Sequence, residues 1–357
     1  MERVRISPQI LSATGVLPPH FASQEELLGE FRRHWAQKHF NVERLEDLHR
    51  AVQVKGRYLA RPIGDYLGLD TFAKRNEAWL QAALELGEKA ARGALEEAGL
   101  RPTDVDHFFS VTVTGVATPS LDARLVNRMG MRPDVKRTPI FGLGCVAGAA
   151  GTARACDTLL GDPGGVALLL SVELCSLTLQ REDVSVPNII ASGLFGDGAA
   201  AVVLGGGDRP AQIGPRVVAT RSVFYPDTER MMGWDMVDGG FKVVLSAKVP
   251  ELARARARDD VESFLGAHDL RRKDIRHWIA HTGGPKILEA FESALELPPQ
   301  ALERSWRSLA EQGNLSSASV LFVLRDLFAS RTAQIGDWGL LFAMGPGFCS
   351  ELVLLRW

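Results

Sequence analysis

Cysteine is scarce in this chain of 357 residues, and tyrosine is scarcer still, with four and three copies respectively. Secreted domains stapled by disulfides need a high density of cysteines, and zinc sites need cysteines or histidines in closely spaced groups. The cysteines fit neither pattern; they are Cys145, Cys156, Cys175 and Cys349. The sequence therefore predicts neither a disulfide framework nor a metal site, and a reactive thiol becomes a possibility to examine.

The chain also lacks a large excess of either charge, because it has 41 basic and 43 acidic side chains and the two kinds are interspersed. This distribution lacks the basic stripe of a nucleic-acid-binding surface. The sequence has no N-terminal leader pattern and no apolar run of about 20 residues, the length that spans a bilayer. We therefore expect a cytoplasmic protein that acts on small molecules, with no nucleic-acid partner and no membrane span.

What the sequence does contain is an internal repeat. Residues 100–107 (LRPTDVDH) return as residues 270–277 (LRRKDIRH), and each copy lies between a helical pattern and an apolar run that ends in Thr-Gly. Residues 144–149 (GCVAGA) and 313–318 (GNLSSA) then open corresponding helices. The repeat predicts a duplicated fold in which Cys145 and Asn314 occupy equivalent corners.

Strands and helices alternate in both copies of the repeat. Buried-strand runs at 165–170 and 338–343 follow the two helices, and each run meets a glycine-rich turn before another strand. This alternation predicts an α/β protein with mainly parallel sheets covered by helices. We place the first half at residues 1–210 and the second at residues 211–357, with an added helical region in the amphipathic pattern from Gln24 to Phe40.

Cys145 is the candidate nucleophile. It lies between an apolar run that ends near Phe141 and a helix that begins with small residues, so it is expected near a helix N-terminus. Unpaired backbone N–H groups at that end stabilise a thiolate and lower the pKa of the thiol. Glycine weakens a helix by about 1 kcal/mol relative to alanine, so Gly148 and Gly151 indicate a close backbone approach. A small buried side chain without chemistry is the alternative for Cys145, and we assign that role to Cys156 and Cys349.

His281 and Asn314 are the candidate partners of this thiol. His281 ends an apolar run, which places it at the C-terminal end of a strand, where open α/β sheets gather their ligands. A hydrogen-bonded core histidine is the alternative interpretation. Asn314 begins a helix and would otherwise be an ordinary N-cap, but the repeat superposes it on Cys145.

These residues resemble those of the type III polyketide synthases, the family of chalcone and stilbene synthases. The resemblance spans nearly the whole chain, and its segments are 144–148 (GCVAG), 194–200 (LFGDGAA), 281–288 (HTGGPKIL), 313–318 (GNLSSA) and 345–347 (GPG). It implies a thiolase-like α/β fold, with two duplicated βαβαβαββ halves forming a layered α-β-α-β-α core. It also implies a homodimer in which the loop around Thr118 reaches toward the partner's cavity.

The resemblance implies a catalytic role for Cys145, His281 and Asn314. The cysteine takes a starter acyl group from coenzyme A, and the histidine and asparagine bind the thioester carbonyl of malonyl-CoA as it loses CO2. The resulting enolate needs fixed hydrogen-bond donors, which an imidazole and an amide supply. A thiolate paired with histidine is also a competent acyl carrier. No cofactor is implied beyond the coenzyme A thioesters that serve as substrates.

Two further residues match binding positions of the family, and a third is grouped with one of them. Phe195 matches the gatekeeper between the coenzyme A tunnel and the reaction cavity, and it would otherwise be a core residue at a strand end. Lys55 matches a basic residue that binds the coenzyme A phosphates, and Arg57 beside it is grouped with it. Basic side chains in such a segment are otherwise simply solvated.

Small side chains fill the positions that shape the cavity in this family; they are Thr114, Thr118, Cys175 and Thr178. The combination of Thr114 and Cys175 resembles the bacterial alkylpyrone and alkylresorcinol synthases. We therefore expect a medium- to long-chain fatty acyl-CoA starter, extended by malonyl-CoA and cyclised to an alkylpyrone or an alkylresorcinol. The sequence does not decide between these two ring closures.

Several alternatives share parts of this pattern. An initiating ketoacyl carrier-protein synthase has the same Cys-His-Asn set but usually follows its histidine with Gln-Ala-Asn, where this chain has Thr282-Gly283-Gly284. A type III synthase with a short or malonyl starter also stays open. A thiolase would place its second cysteine inside the C-terminal glycine turn, whereas Cys349 follows it. A papain-like hydrolase would lack the duplication, and an acyl-CoA-binding scaffold would not need all three reactive side chains.

Overall fold

The computed structural model of the chain describes residues 7–35 and 42–357. The strands are β1 (Gln9–Val16), β2 (His20–Ser23), β3 (Gly56–Leu59), β4 (His107–Val111), β5 (Lys136–Ile140), β6 (Val166–Leu174), β7 (Asp197–Gly205), β8 (Arg216–Phe224), β9 (Met232–Val237), β10 (Gly240–Leu245), β11 (Ile275–Ala280), β12 (Trp338–Gly345) and β13 (Cys349–Arg356). The helices are α1 (Gln24–Trp35), α2 (Val42–Ala51), α3 (Phe72–Glu97), α4 (Leu121–Met129), α5 (Ala147–Gly161), α6 (Val186–Leu194), α7 (Val249–Gly266), α8 (Pro285–Leu295), α9 (Glu303–Gln312) and α10 (Ala318–Ser330). The added N-terminal helix predicted from Gln24 is α1, and the part of that prediction after Trp35 lies outside the described residues.

The duplication is visible in matching local contacts. Asp104 and Asp274 each accept a 2.8 Å hydrogen bond from the backbone N–H of the arginine three positions earlier. His107 and His277, one in each half, contact an aspartate through Nε2 at 2.9 Å and 2.8 Å. The repeat predicted from the sequence is therefore a repeat of structure, down to individual side-chain pairs.

The predicted dominance of parallel pairing is wrong. The large sheet has the order β11-β12-β13-β8-β1-β7-β6-β4-β5. Its parallel pairs are β11 with β12, and β4 with β5 and β6, whereas every pair between β12 and β6 is antiparallel. Apolar strand runs reveal burial on both faces but not direction. The short turn between β12 and β13 forces an antiparallel pair, because a parallel partner needs a crossover connection.

One difference between the two halves concerns strand β5. In the first half, β5 pairs in parallel with β4 at the edge of the sheet. All residues between α8 and α10 are described, and there the chain forms α9 and no strand. The second half therefore lacks a counterpart of β5.

The predicted boundary between the two halves, near residue 210, falls in the connection between β7 and β8. The division into two domains stays a prediction.

The two equivalent helices, α5 and α10, pack against each other in the interior. A Cβ atom built on Gly148 of α5 would collide with the carbonyl oxygen of Ser317 and would lie 2.7 Å from Val320. Gly148 is buried and Ser317 is completely buried. The glycine after the candidate nucleophile is thus explained by close backbone approach, as the sequence indicated, and this contact brings the N-terminal ends of the two helices together.

Replacing Gly148 with alanine should lower the free energy of unfolding by about 1–3 kcal/mol, because the new methyl group meets a backbone carbonyl that has no room to retreat. Urea denaturation of the variant and the wild type measures the difference. Gly161→Ala is the matched control, since it lies on the same helix and a Cβ there meets nothing within 4 Å. Equal losses in both variants would show that the α5–α10 contact is not responsible.

Candidate active site

Cys145 lies in a 3-10 turn (Gly144–Val146) that leads directly into α5. Gly144 has a φ of 53°, which favours glycine, and a Cβ there would lie 2.8 Å from the ring of Pro346. The thiol is 5% exposed, and its Sγ lies 3.8 Å from the hydroxyl oxygen of Ser316. The predicted position of Cys145 near a helix N-terminus is confirmed.

Three hydrogen bonds hold Asn314 in place. Its backbone N–H donates to the carbonyl of Leu194 at 2.8 Å, and its carbonyl accepts from the N–H of Gly196 at 3.0 Å. Its side-chain oxygen Oδ1 accepts from the N–H of Ser316 at 2.8 Å. With the oxygen occupied, the amide nitrogen is the end left for the pocket, and the Asn314 side chain lies near enough to Cys145 to lower the pKa of its thiol. The structure thus joins the two residues that the repeat had superposed.

His281 is the first residue after β11, and its backbone N–H donates to the carbonyl of Phe342 on β12 at 3.0 Å. Strand β12 continues to Gly345, whose Cβ position lies 2.6 Å from the backbone nitrogen of Val146. The end of β11 and the turn that carries Cys145 are therefore at the same edge of the sheet, as expected for a strand-end histidine.

The imidazole of His281 has an unusual environment for a core side chain. It is 2% exposed, and neither ring nitrogen has a hydrogen-bond partner among the described residues; the same holds for the hydroxyl of the adjacent, fully buried Thr282. An unpaired buried polar group costs about 1–3 kcal/mol. This cost argues against the alternative of a hydrogen-bonded core histidine and indicates a group whose partner is a bound ligand.

Burial controls the protonation of both reactive groups. Burial raises the pKa of the Cys145 thiol to about 12, and the interactions with Ser316 and Asn314, which lower this pKa, offset only part of the shift. Burial lowers the pKa of His281 to about 3. The lowered thiol pKa expected from the helix N-terminus is therefore not found, because desolvation outweighs the nearby hydrogen bonds. Both groups are neutral at pH 7, and a neutral imidazole is the form that accepts a proton.

Glu173, near the end of β6, is a buried carboxyl that the sequence analysis did not single out. One oxygen accepts from the N–H of Val113 at 3.1 Å and from the hydroxyl of Thr114 at 3.0 Å, and the other accepts from Ser317. Its negative charge also raises the pKa of Cys145. The available signal was one acidic residue in an otherwise apolar strand, VALLLSVEL.

Burial raises the pKa of Glu173 from 4.5 to about 7, so the folded state binds this proton more tightly than the unfolded state. The contribution of Glu173 to stability should therefore fall as the pH rises from about 4.5 to about 7, by on the order of 3 kcal/mol. Glu173→Gln removes the titration. Urea denaturation of both proteins at pH 5 and pH 8 should show a variant that gains relative to the wild type at pH 8. An identical difference at the two pH values would contradict the raised pKa.

A cavity of about 180 Å3 lies beside this centre. Its wall includes three of the predicted lining residues, Phe195, Cys175 and Thr178. Phe195 forms a single bridge with Asn314, so it stands between the candidate catalytic centre and the cavity, where a gatekeeper is expected. Thr118 is exposed and is not part of this wall.

Thr114 and Arg57 have different surroundings from those expected. Thr114 is buried and outside the cavity wall, and its hydroxyl also accepts from the N–H of Leu174 at 2.9 Å, so it belongs to the Glu173 network. Arg57 is 1% exposed, and its guanidinium donates to the carbonyl of Phe195 at 3.3 Å. This burial does not fit a surface contact with coenzyme A phosphates. Of the predicted basic pair, Lys55 is the exposed member.

Within residues 7–35 and 42–357, no group of three or more His, Cys, Asp or Glu side chains is arranged to hold a metal ion. No helix in the same part of the chain is both long and apolar enough to cross a membrane.

Two family models match the chain almost end to end. The model described as "Chalcone and stilbene synthases, N-terminal domain" matches residues 3–208, and the corresponding C-terminal domain matches residues 216–357. Both matches agree with the resemblance found in the sequence.

Individual members of this family are similar to the chain over most of its length. A 1,3,6,8-tetrahydroxynaphthalene synthase from Streptomyces peucetius is 53% identical over 96% of this chain and 91% of its own length. A phloroglucinol synthase from Pseudomonas fluorescens is 33% identical over 96% of this chain and 97% of its own length. The crystal structure of 1,3,6,8-tetrahydroxynaphthalene synthase from Streptomyces coelicolor, described as a bacterial type III polyketide synthase, superposes with a TM-score of 0.93 at 34% identity. This structural match covers 98% of this chain and 99% of the other.

Proposed function

Because the chain belongs to the chalcone and stilbene synthase family of type III polyketide synthases, we propose that it uses malonyl-CoA both as starter and as extender. The product would be a polyhydroxylated aromatic compound such as 1,3,6,8-tetrahydroxynaphthalene. The observation that carries this proposal is the 53% identity, over nearly the whole chain, to a synthase of that compound. As a type III polyketide synthase, the protein is an acyltransferase.

The chemistry of the named product supports a malonyl starter. 1,3,6,8-Tetrahydroxynaphthalene carries hydroxyl groups at alternating positions and no carbon substituent, so no alkyl tail from a starter remains on the rings. A fatty acyl starter, which the combination of Thr114 and Cys175 led us to expect, would leave such a tail. The relatives described above therefore favour the malonyl alternative over the alkylpyrone and alkylresorcinol products.

Loading of Cys145 is the first proposed step. His281 accepts the thiol proton, and Sγ attacks the thioester carbonyl of malonyl-CoA. The bond between that carbonyl and the coenzyme A sulfur breaks, and the departing sulfur takes the proton, so the imidazole returns to its neutral form. Burial keeps His281 neutral, and a neutral imidazole has one ring nitrogen that can accept the proton.

Extension then uses a second malonyl-CoA. The bond between its carboxylate and its central carbon breaks, CO2 leaves, and the electron pair forms an enolate on the thioester. The Asn314 amide and the His281 imidazole donate hydrogen bonds to the enolate oxygen, and a buried site strengthens such bonds. The enolate carbon attacks the carbonyl on Cys145, Sγ departs as a thiolate, and the lengthened chain returns to Cys145 with release of coenzyme A.

Several features of this proposal are based on the resemblance to the family and not on contacts within this chain. We propose a cytoplasmic homodimer that needs no cofactor beyond its coenzyme A thioesters, with the exposed Thr118 at the partner's cavity and Lys55 at the phosphates. Phe195 would separate the tunnel from the cavity. Sedimentation of the protein at micromolar concentration tests the dimer, and a monomer at that concentration would contradict it.

Product analysis tests the proposed starter. The protein is incubated with malonyl-CoA alone, and in parallel with malonyl-CoA plus lauroyl-CoA, and the products are identified by mass spectrometry against authentic 1,3,6,8-tetrahydroxynaphthalene. We expect the aromatic product from malonyl-CoA alone. A protein that forms products only when lauroyl-CoA is present would restore the fatty acyl starter, and activity only with malonyl groups on a carrier protein would favour an initiating ketoacyl synthase.

A further inference from the structure

The GPG turn (residues 345–347) links β12 to β13, and the proposed reaction steps give it no role. In the structure it packs directly against the 3-10 turn that carries the candidate nucleophile. A Cβ atom built on Gly144 would lie 2.8 Å from the ring of Pro346, and one built on Gly345 would lie 2.6 Å from the backbone nitrogen of Val146. The residues on both sides of the reactive thiol therefore contact the GPG turn.

These contacts leave little room for adjustment. They are made by backbone atoms and a proline ring, which cannot move away by changing a side-chain rotamer, and close packing in a protein interior transmits a displacement from one segment to the next. Gly144 and Val146 are the immediate neighbours of Cys145, and Val146 is fully buried. A shift of the GPG turn would therefore move Cys145 relative to Ser316, whose hydroxyl oxygen lies 3.8 Å from Sγ.

A loop that follows β8 holds the end of the GPG turn. The backbone N–H of Phe348, the residue after the turn, donates to the hydroxyl oxygen of Thr228 at 2.6 Å, and the same hydroxyl donates to the carbonyl of Tyr225 at 2.5 Å. The backbone N–H of Tyr225 donates to the carbonyl of Phe348 at 2.9 Å. Both backbone groups of Phe348 are thus bonded to this loop, one of them through the side chain of Thr228.

The N–H of Phe348 depends on that side chain. Phe348 is 1% exposed, and a backbone N–H in such a place needs a hydrogen-bond partner. The hydroxyl of Thr228 is the partner that the fold supplies. A side chain without this oxygen would leave the N–H unbonded, and the GPG turn would have to move to recover a bond.

We propose that Thr228 is a positioning residue, which fixes the GPG turn and, through it, the geometry of attack by Cys145. The inference rests on the proposed function, in which Sγ attacks the thioester carbonyl of malonyl-CoA. The hydroxyl of Thr228 bonds to backbone groups of Tyr225 and Phe348, so it acts on the rate of attack and not on the binding of substrate. A misplacement of reacting groups by about 1 Å can slow a reaction on the order of a hundredfold.

Thr228→Val tests the proposal, because valine has the shape of threonine without the hydroxyl. Wild type and variant are mixed with a series of malonyl-CoA concentrations at a temperature where circular dichroism shows both to be fully folded. The mass of the intact protein follows the first acyl adduct on Cys145 with time. We expect the rate constant at saturating malonyl-CoA to fall by about ten- to a hundredfold, with the half-saturating concentration close to that of the wild type. Thr228→Ser keeps the oxygen and should restore most of the rate.

Thr158→Val is the matched control, since it removes a threonine hydroxyl that donates at 2.9 Å to the carbonyl of Arg154 within α5. It should acylate at the wild-type rate. An unchanged rate constant in Thr228→Val would overturn the proposal, as would a smaller amount of adduct formed at the wild-type rate, which is the result of partial unfolding.

The serine variant separates the hydroxyl from the rest of the side chain. A Thr228→Ser protein as slow as Thr228→Val would show that the hydroxyl is not the cause, and the proposal would be wrong. A wild-type protein that takes no acyl group from malonyl-CoA gives a different result, because it refutes the proposed function itself and this inference with it.

Discussion

Cys145→Ala should abolish product formation with every starter and reduce turnover by a factor on the order of a thousand or more, because Cys145 is the proposed carrier of the acyl chain through successive extensions. Mass spectrometry of the intact protein after incubation with malonyl-CoA should show an acyl adduct on the wild type and none on the variant. The small side chain fits the space of the thiol, so the melting temperature should change little.

Cys156→Ala controls for the loss of a buried thiol. Cys156 lies on the same helix, α5, and packs in the core, where burial also raises its pKa to about 12. The variant should keep its acyl adduct and its product profile. Full activity of Cys145→Ala, or an adduct that persists in it, would remove Cys145 from the mechanism and with it the proposed sequence of steps.

Asn314→Ala should slow the decarboxylation of malonyl-CoA by about 10²–10³-fold, because the enolate oxygen loses a fixed donor in a buried site. Loading should survive, since the attack of Sγ on the thioester does not need the enolate donor. The two steps are separable: CO2 release reports decarboxylation, and the mass of the intact protein reports acylation of Cys145. We therefore expect an acylated protein that accumulates without product.

A matched variant for this experiment is Asn127→Ala, which removes an exposed amide that bonds to its own helix. It should behave as the wild type in both measurements. If Asn314→Ala loses acylation and decarboxylation together, the residue acts on the reactivity of Cys145, whose thiol pKa it lowers, and the proposed division of roles is wrong.

The repeat explains why the arrangement of the site was predictable from the sequence. A duplicated strand-helix unit places corresponding residues at corresponding corners, so the sequence predicts equivalent positions for Cys145 and Asn314. In the structure both side chains contact Ser316. The end of an apolar run was enough to place His281 at a strand end. These signals are local in the sequence, so they can be interpreted without knowledge of the fold. The catalytic roles themselves stay predictions.

The errors concern properties that depend on distant partners. The direction of β13 is set by its turn and its neighbours and not by its apolar pattern. From the sequence Arg57 is expected to be a surface cation, but in the folded chain it is almost completely buried. Thr114 has the size of a cavity residue but is bound to Glu173, on the neighbouring strand. The pKa of Cys145 likewise follows from burial, which sequence position near a helix does not reveal.

The contact between α5 and α10 also bears on how the enzyme comes into being during translation. Cys145 and Ser316, which face each other across that contact, are 171 positions apart in the chain, and the ribosome completes the thiol's half long before it reaches the amide's. A nascent chain therefore carries Cys145 well before Asn314 and Ser316 have been added. The candidate site can assemble only after the second half of the chain has been synthesised.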